Sequence, residues 1–275
     1  MLYHQLWGVT TPEEAKKQIE YSRIPCEHPC NLKEMVEDAV GSEIYELFYE
    51  GYSKKQWGVD PSEIPVGVGR RLPIRFTWND RWFEDEFEGI PQGGYTAMIE
   101  NMIDGADVEL GADYLHYQLE FGKRAKKIVY TGKIDEFYDY QFGPLEYRTL
   151  EFQHEVVNGD FQGNAIMNYA EEKIPWTRIT EHKHFNFQQS DVSIITREFS
   201  KFYEPGKGQT PYYPIGNKKN VEIYQKYKKL SEETSNVIFG GRLGSFKYLD
   251  MDTAIGAAMN LAKKEFGIID KTSSI

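Results

Sequence analysis

Along the first sixty or so residues the apolar positions recur at helical spacing. Thr11-Pro12-Glu13-Glu14 is a capping box with proline at the first helical position, so a helix is predicted through Ala15 to Tyr21, ended by Pro25 and Pro29. Asn31 caps a second helix through Val40, closed by Gly41. A third, from about Ser42 to Glu50, places Ile44, Leu47 and Phe48 on one side. Beyond Pro61 the pattern becomes irregular. Leu72 to Trp78 and Trp82 to Phe87 read as strands or extended loop edges, broken by Asn79-Asp80. Gly93-Gly94 opens a helix with Met98, Ile99, Met102 and Ile103 at helical spacing; Val108 to Leu110 and Lys127 to Tyr130 read as short strands. From Tyr147 to about Phe199 the texture is β-rich: Tyr147 to Val157, Ala165 to Tyr169, Thr177 to Phe187 and Val192 to Phe199, with turn signals between, predict an antiparallel sheet. A helix around Val221 to Leu230, a buried strand Asn236 to Phe239 and a last helix from Thr253 to about Phe266 complete the chain. Alanines 254, 257, 258 and 262 would let that last helix approach its neighbours closely.

Composition narrows the function classes. A chain of 275 residues with 40% hydrophobic and 27% charged residues can bury a substantial core in two or more domains. No apolar run is long enough to span a membrane and the N-terminus does not read as a signal peptide, so a cytoplasmic protein is expected. A net charge of −11 argues against nucleic acid, which demands dense positive charge, but not against a small phosphorylated ligand that needs only a few arginines. Cys26 and Cys30 flank His28, yet no second Cys/His cluster offers the remaining ligands of a closed zinc site, so reduced loop thiols and no metal are expected.

Several short stretches carry candidate chemistry. Tyr52 and Trp57 bracket the polar run Ser53 to Gln56, which suits a nucleoside base lying on a ring with Ser53 or Gln56 hydrogen-bonding to it. A helix end tucking two aromatics into a core is the commoner situation for such residues. Arg70 and Arg71 follow Gly67-Val68-Gly69 on what reads as a mobile loop able to close on an anion, although a solvated charge pair has the same composition. Arg178 is a second phosphate clamp candidate. His182 and His184, two apart in a predicted strand, lack a carboxylate or cysteine at metal-site spacing and read as structural. Gly240-Gly241-Arg242-Leu243-Gly244, between a strand and a helix, permits close backbone approach to a cofactor; Asp252 is the expected cap of the helix that follows.

Taken together, Phe48 to Gly58, Arg71-Leu72-Pro73-Ile74-Arg75-Phe76, Gly89 to Tyr95, Phe161-Gln162-Gly163-Asn164, Thr177-Arg178-Ile179, Pro211-Tyr212-Tyr213-Pro214 and Gly241 to Gly244 resemble the bacterial UDP-galactopyranose mutase family, in the family's order and over essentially the whole chain. The resemblance implies a mixed α/β and α+β fold. Its parts would be a helical bundle at 1–69 with the arginine loop at its end, an antiparallel β-sheet substrate domain at 70–90 and 143–213, and the rest of an FAD-binding Rossmann-like domain at 91–142 and 214–275. It assigns Phe48, Tyr52, Ser53, Gln56 and Trp57 to the uridine, Arg71 and Arg178 to the diphosphate as the catalytic arginines, Tyr213 and Tyr248 to phosphate, and Asn168 to ribose or sugar. Trp82 and Phe83 stand where the family usually has Tyr-Phe, so at Trp82 the hydroxyl that would meet a phosphate is replaced by an indole N–H. Gly241, Arg242, Tyr248, Asp250 and Met251 fall on the flavin side.

The implied reaction is ring contraction of UDP-galactopyranose to UDP-galactofuranose, with FAD as cofactor, through a covalent flavin-N5–sugar intermediate. UDP-galactose is the implied partner, with a homodimer or a separately encoded N-terminal flavin segment beside it. Nothing in the chain matches the Gly-x-Gly-x-x-Gly turn with which the family begins, so the FAD-binding domain is expected to be incomplete. The expectation is an N-terminally truncated mutase or one half of a split enzyme, the alternative being a noncatalytic UDP-sugar-binding remnant.

Overall fold

The computed structural model describes residues 2–69, 74–79, 81, 83 and 85–267. Elements are numbered in chain order. The helices are α1 (Leu2–Trp7), α2 (Pro12–Ser22), α3 (Leu32–Val40), α4 (Ser42–Ile44), α5 (Gly51–Trp57), α6 (Val66–Gly69), α7 (Gly94–Met102), α8 (Gln118–Arg124), α9 (Ile134–Phe137), α10 (Lys218–Glu233), α11 (Gly241–Gly244) and α12 (Met251–Phe266). The strands are β1 (Ile128–Tyr130), β2 (Tyr147–Asn158), β3 (Ile166–Asn168), β4 (Arg178–Glu181), β5 (Val192–Phe202), β6 (Tyr213–Pro214) and β7 (Val237–Phe239). The chain is thus a mixed helix-and-sheet protein, and it divides into two compact units: Met1–Gly111 with Glu151–Ser200, and Ala112–Leu150 with Lys201–Ile275.

In the first unit the predicted capping signals form as expected. Thr11 Oγ1 accepts from Glu14 N and Glu14 accepts from Thr11 N, so two orphan amides at the start of α2 are satisfied reciprocally. Asn31 caps α3, which buries Leu32, Val36 and Val40 at four-residue intervals against Ala15, Ile19 and Ile64. Gly41 is obligatory: its φ is +87° and a Cβ there would lie 2.3 Å from Ser22 Oγ. The third helix differs from its prediction. After α4 it widens into a π-helix, Tyr45–Glu50, and then continues as α5 to Trp57, ended by Gly58 in the left-handed region. A π-turn rotates the residues after it relative to those before it, which no periodicity count anticipates.

The β-rich stretch forms a sheet ordered β3-β4-β5-β2 in this unit, with β3, β4 and β5 mutually antiparallel. The predicted Thr177–Phe187 strand stops at Glu181, where a 3-10 turn, His182–Asn186, takes over. Of the segments 72–78 and 82–87, the described residues form no strand. Phe76 instead stacks on Tyr3 of α1, ring centroids 5.5 Å apart, and Trp78 meets His4 edge-on. Aromatic burial against a helix here takes the place of ladder pairing. Val108–Leu110 is likewise not a strand.

In the second unit β1 and β7 pair in parallel, and the opening of β2 pairs antiparallel with β6, Tyr147 opposite Pro214. The core is Ile134, Leu145, Tyr147, Tyr227 and Phe246. A buried polar network threads it. Asp135 accepts from Leu145 N at 2.9 Å and Tyr147 Oη at 3.4 Å, and desolvation raises its pKa. Lys133, 5% exposed, donates to the hydroxyls of Tyr140 and Tyr203. Helix α12, by contrast, has no buried residue among those described; of its alanines, 254 is half-buried and 257, 258 and 262 are exposed.

Candidate functional site

Register in the sheet assembles the first cluster. Asn168 on β3 lies opposite Arg178 on β4, and Arg178 lies opposite Glu198 on β5, so the three occupy one row across the sheet. Glu198 Oε1 sits 3.3 Å from Arg178 Nε and accepts from Thr177 Oγ1 at 3.2 Å. Arg178 Nη2 donates to the Tyr52 hydroxyl at 2.9 Å. The guanidinium is therefore ion-paired with a carboxylate on its Nε side and hydrogen-bonded through one terminal nitrogen to a phenol, an arrangement that orients an anion-binding fork.

Around Tyr52, the helical residues divide between core and surface. Ser53, Gln56 and Trp57 are buried at 6–7% exposure, whereas Phe48, on the π-helix, is 41% exposed and Tyr52 is half-buried. Trp57 presents little of its ring to solvent, while Phe48 and Tyr52 offer open ring surface. Asn168 is exposed, as is Phe83. Arg70, Arg71 and Trp82 lie outside the described residues.

Sequence reasoning missed Glu198 and Lys55. The Lys55 ammonium reaches three backbone carbonyls, Tyr169 at 2.6 Å, Glu171 at 2.9 Å and Trp176 at 3.0 Å. Neither residue carries a sequence signal beyond its charge: one is an acid in a strand and the other a lysine in a helix, and only register and packing show what they hold.

A further cluster corrects the reading of the histidines. They lie on the 3-10 turn rather than on one strand face. His182 Nε2 and His154 Nδ1 both meet the Thr196 hydroxyl, at 2.6 and 2.8 Å. His184 instead faces Glu181 and Asp160, and the three offer ligand atoms within 4.8 Å of one another. The two carboxylates are already engaged, whereas His184 Nε2 is buried without a hydrogen-bond partner, 3.4 Å from Glu181 Oε1 and 3.8 Å from Asp160 Oδ1. Glu181, fully buried, accepts from the amides of Phe161, Gln162 and Gly163 and from Ser193, while Lys183 pairs with Asp160 at 2.5 Å. Burial alone would raise the Glu181 pKa, but the hydrogen bonds from Ser193, Gln162 and Phe161 outweigh it and hold the carboxyl at about 2. This is a knot that pins the Phe161–Asn164 loop, with the Lys183 ammonium paired to one of its carboxylates.

The second unit holds the remaining predicted residues. Tyr213 and Tyr248 stack at 5.2 Å with 15° between planes, and the Arg242 guanidinium lies 5.2 and 4.9 Å from their centroids. Arg242 also donates to the carbonyls of Tyr212 and Leu249. Gly241, φ +68°, turns the chain out of β7, and at Gly244 a Cβ would lie 2.9 Å from Tyr130 O. Asp250, not Asp252, is the N-cap position of α12, and Met251 beside it is exposed. For a flavin dinucleotide these residues fit one wall: an oriented guanidinium, a glycine turn after a parallel strand and the N-terminus of a sixteen-residue helix. The two-stranded parallel sheet β1–β7 leaves Val129 56% exposed, so the described residues do not enclose such a group.

The UDP-galactopyranose mutase family model matches residues 47–248. A probable UDP-galactopyranose mutase of Klebsiella pneumoniae is 40% identical over 92% of this chain and 65% of its own length. A dTDP-fucopyranose mutase of Escherichia coli is 36% identical over 92% of this chain and 69% of its own. The chain therefore spans about two thirds of the length of these relatives. A solved structure of reduced UDP-galactopyranose mutase superposes with a TM-score of 0.61 at 12% identity, covering 94% of this chain and 74% of that one, a likeness of fold alone.

Proposed function

The chain belongs to the UDP-galactopyranose mutase family, and from that premise we propose that it binds UDP-galactopyranose and takes part in its flavin-dependent contraction to UDP-galactofuranose. The observation that carries the reading is the Asn168–Arg178–Glu198 row with Tyr52 closing on Arg178. In this reading Phe48 and Tyr52 face the base, Ser53, Gln56 and Trp57 shape the floor beneath it, and Arg178 takes the diphosphate. Arg71, Trp82, Phe83 and Asn168 complete the substrate contacts of the first unit, and the family resemblance assigns Tyr213 and Tyr248 of the second unit to phosphate. Departure of the sugar from the diphosphate concentrates negative charge on the leaving group. A guanidinium already oriented by the Tyr52 hydroxyl and the Glu198 charge meets that charge with little reorganisation. When bound, reduced FAD supplies the nucleophile for the anomeric carbon, and Gly241, Arg242, Tyr248, Asp250 and Met251 would form its wall in this chain. The protein itself then needs no strong acid or base, consistent with a cluster built from hydrogen-bond donors and a cation.

The α12 surface carries Met251, Ile255, Met259 and Phe266 exposed on one helix. We infer that a flavin-holding segment covers it in the working enzyme.

Calorimetry of UDP binding, followed by FAD titration and product analysis with UDP-galactopyranose under dithionite, tests the proposal. UDP should bind. Arg178→Lys should weaken it about tenfold, because an ammonium cannot make the bidentate contact. dTDP-fucopyranose should be run in parallel, since the Escherichia coli relative is named for it. UDP binding without FAD binding or turnover would assign a nucleotide-sugar-binding chain that needs its flavin segment. Absence of UDP binding would end the reading.

A further inference from the structure

The proposed nucleotide site is made from two pieces of chain that are distant in sequence: α5 with the π-helix before it, and the β3–β4 hairpin carrying Asn168 and Arg178. A base and a diphosphate joined through one ribose have a fixed reach, so these pieces must be held at one separation. The residues already described do not obviously do this. Arg178–Tyr52 is a single hydrogen bond between two groups that both face the ligand.

The connection between β3 and β4 makes the firmer joint. Residues 169–176 leave β3 and return to β4 with Tyr169 N bonded to Thr177 O. The carbonyls of Tyr169, Glu171 and Trp176 converge on one point, and the Lys55 ammonium stands there, 2.6–3.0 Å from each. An ammonium has three protons, so each carbonyl can receive one. Gly51, a turn earlier on α5, lets the helix come close: a Cβ there would lie 2.3 Å from Ala170 O and 3.0 Å from Glu172 N. At the far end of α5, Ser200 Oγ donates to Gln56 O at 2.6 Å. Lys54, next in sequence, behaves differently. It is a surface lysine paired with Glu50 and Glu172.

We propose that Lys55 is a positioning residue of the nucleotide site, setting the distance between the base-binding face of α5 and the Arg178 clamp by gathering the 169–176 carbonyls under the helix. The inference rests on the nucleotide-sugar reading. It makes a claim that reading does not: Lys55 acts on the coupling between two subsites and touches neither base nor phosphate.

The measurement is the ratio of UDP affinity to uridine affinity, by calorimetry on the full chain, for wild type, Lys55→Met, Lys55→Arg, Gly51→Ala and Lys54→Met. In a correctly spaced site the diphosphate adds affinity because the base has already placed it, and a misplacement of an ångström forfeits that gain by about tenfold or more. Lys55→Met and Gly51→Ala should lower the ratio to that extent while uridine affinity stays near wild type. Lys55→Arg should restore most of it, and Lys54→Met should leave it unchanged. Parallel weakening of UDP and uridine, or a lowered melting temperature with an unchanged ratio, would reduce Lys55 to a fold-stabilising strut and overturn the proposal. Should Lys55→Met not fold, Gly51→Ala and Lys55→Arg decide by the same ratio. Loss of UDP binding in the wild type itself would overturn the nucleotide-sugar reading, and this inference with it.

Discussion

Glu181 and Arg178 sit three residues apart on β4 and their charges are handled in opposite ways. Arg178 is oriented but left half-buried beside Tyr52, with Glu198 at its back, so its charge remains directed outward. Glu181 is turned fully inward and consumed by three amides and a hydroxyl. A strand points successive residues to opposite faces, so two residues three apart face opposite ways, and Glu181 also closes the strand where the chain leaves for the 3-10 turn. The inward carboxylate makes a pH prediction. Its folded pKa of about 2 lies below the unfolded value of 4.5. The unfolded state therefore binds the proton more readily, and the contribution of Glu181 is complete above 4.5 and lost as pH falls toward 2. In urea melts from pH 6 down to pH 2, wild type should lose stability through this window. Glu181→Gln should start lower and fall less steeply; equal slopes would show that the carboxylate is not held as described.

Among the elements, those with their own capping residues follow the sequence most closely. Helix α2 begins where Thr11 and Glu14 say it must, and α3 runs from its Asn31 cap to Gly41. These signals act within one turn of chain and need no tertiary partner. Thr11→Ala removes one side of the capping box and should cost about 1 kcal/mol, read as a lower urea midpoint at unchanged m-value. Elements whose form depends on distant partners diverge from expectation. The π-helix at Tyr45–Glu50 continues without a break into α5, whose Gly51 is pressed onto the 169–176 turn. The stretch around Phe76 has strand-like composition, but its ring finds Tyr3 and not a neighbouring strand. Helix α12 has a good apolar stripe and small residues, yet none of its described residues is buried and Met251, Met259 and Phe266 stay exposed.

For the whole molecule, that exposed stripe is an energetic imbalance. Met251, Met259 and Phe266 are 62%, 56% and 79% exposed on one helix, and Val129 on β1 is 56% exposed in the same unit. Contiguous apolar surface of this kind marks an interaction face or an aggregation hazard. The isolated chain should enhance the fluorescence of an apolar-surface dye. Met259→Glu should reduce the signal and slow association measured by light scattering, whereas an unchanged signal would place the dye elsewhere. No helix among the described residues is long and apolar enough to cross a membrane. Sequence alone determined what depends on local chemistry or on the order of motifs: the caps of α2 and α3, the short strands at β1 and β7, the β-rich middle and the family itself. Tertiary structure alone decided what depends on register and close approach. It set Glu198 opposite Arg178, placed Lys55 beneath three carbonyls, and moved the histidines off a strand. A residue's type limits which bonds it can make. Which partner stands within 3 Å is set by how strands pair and helices dock, and neither is written in spacing along the chain.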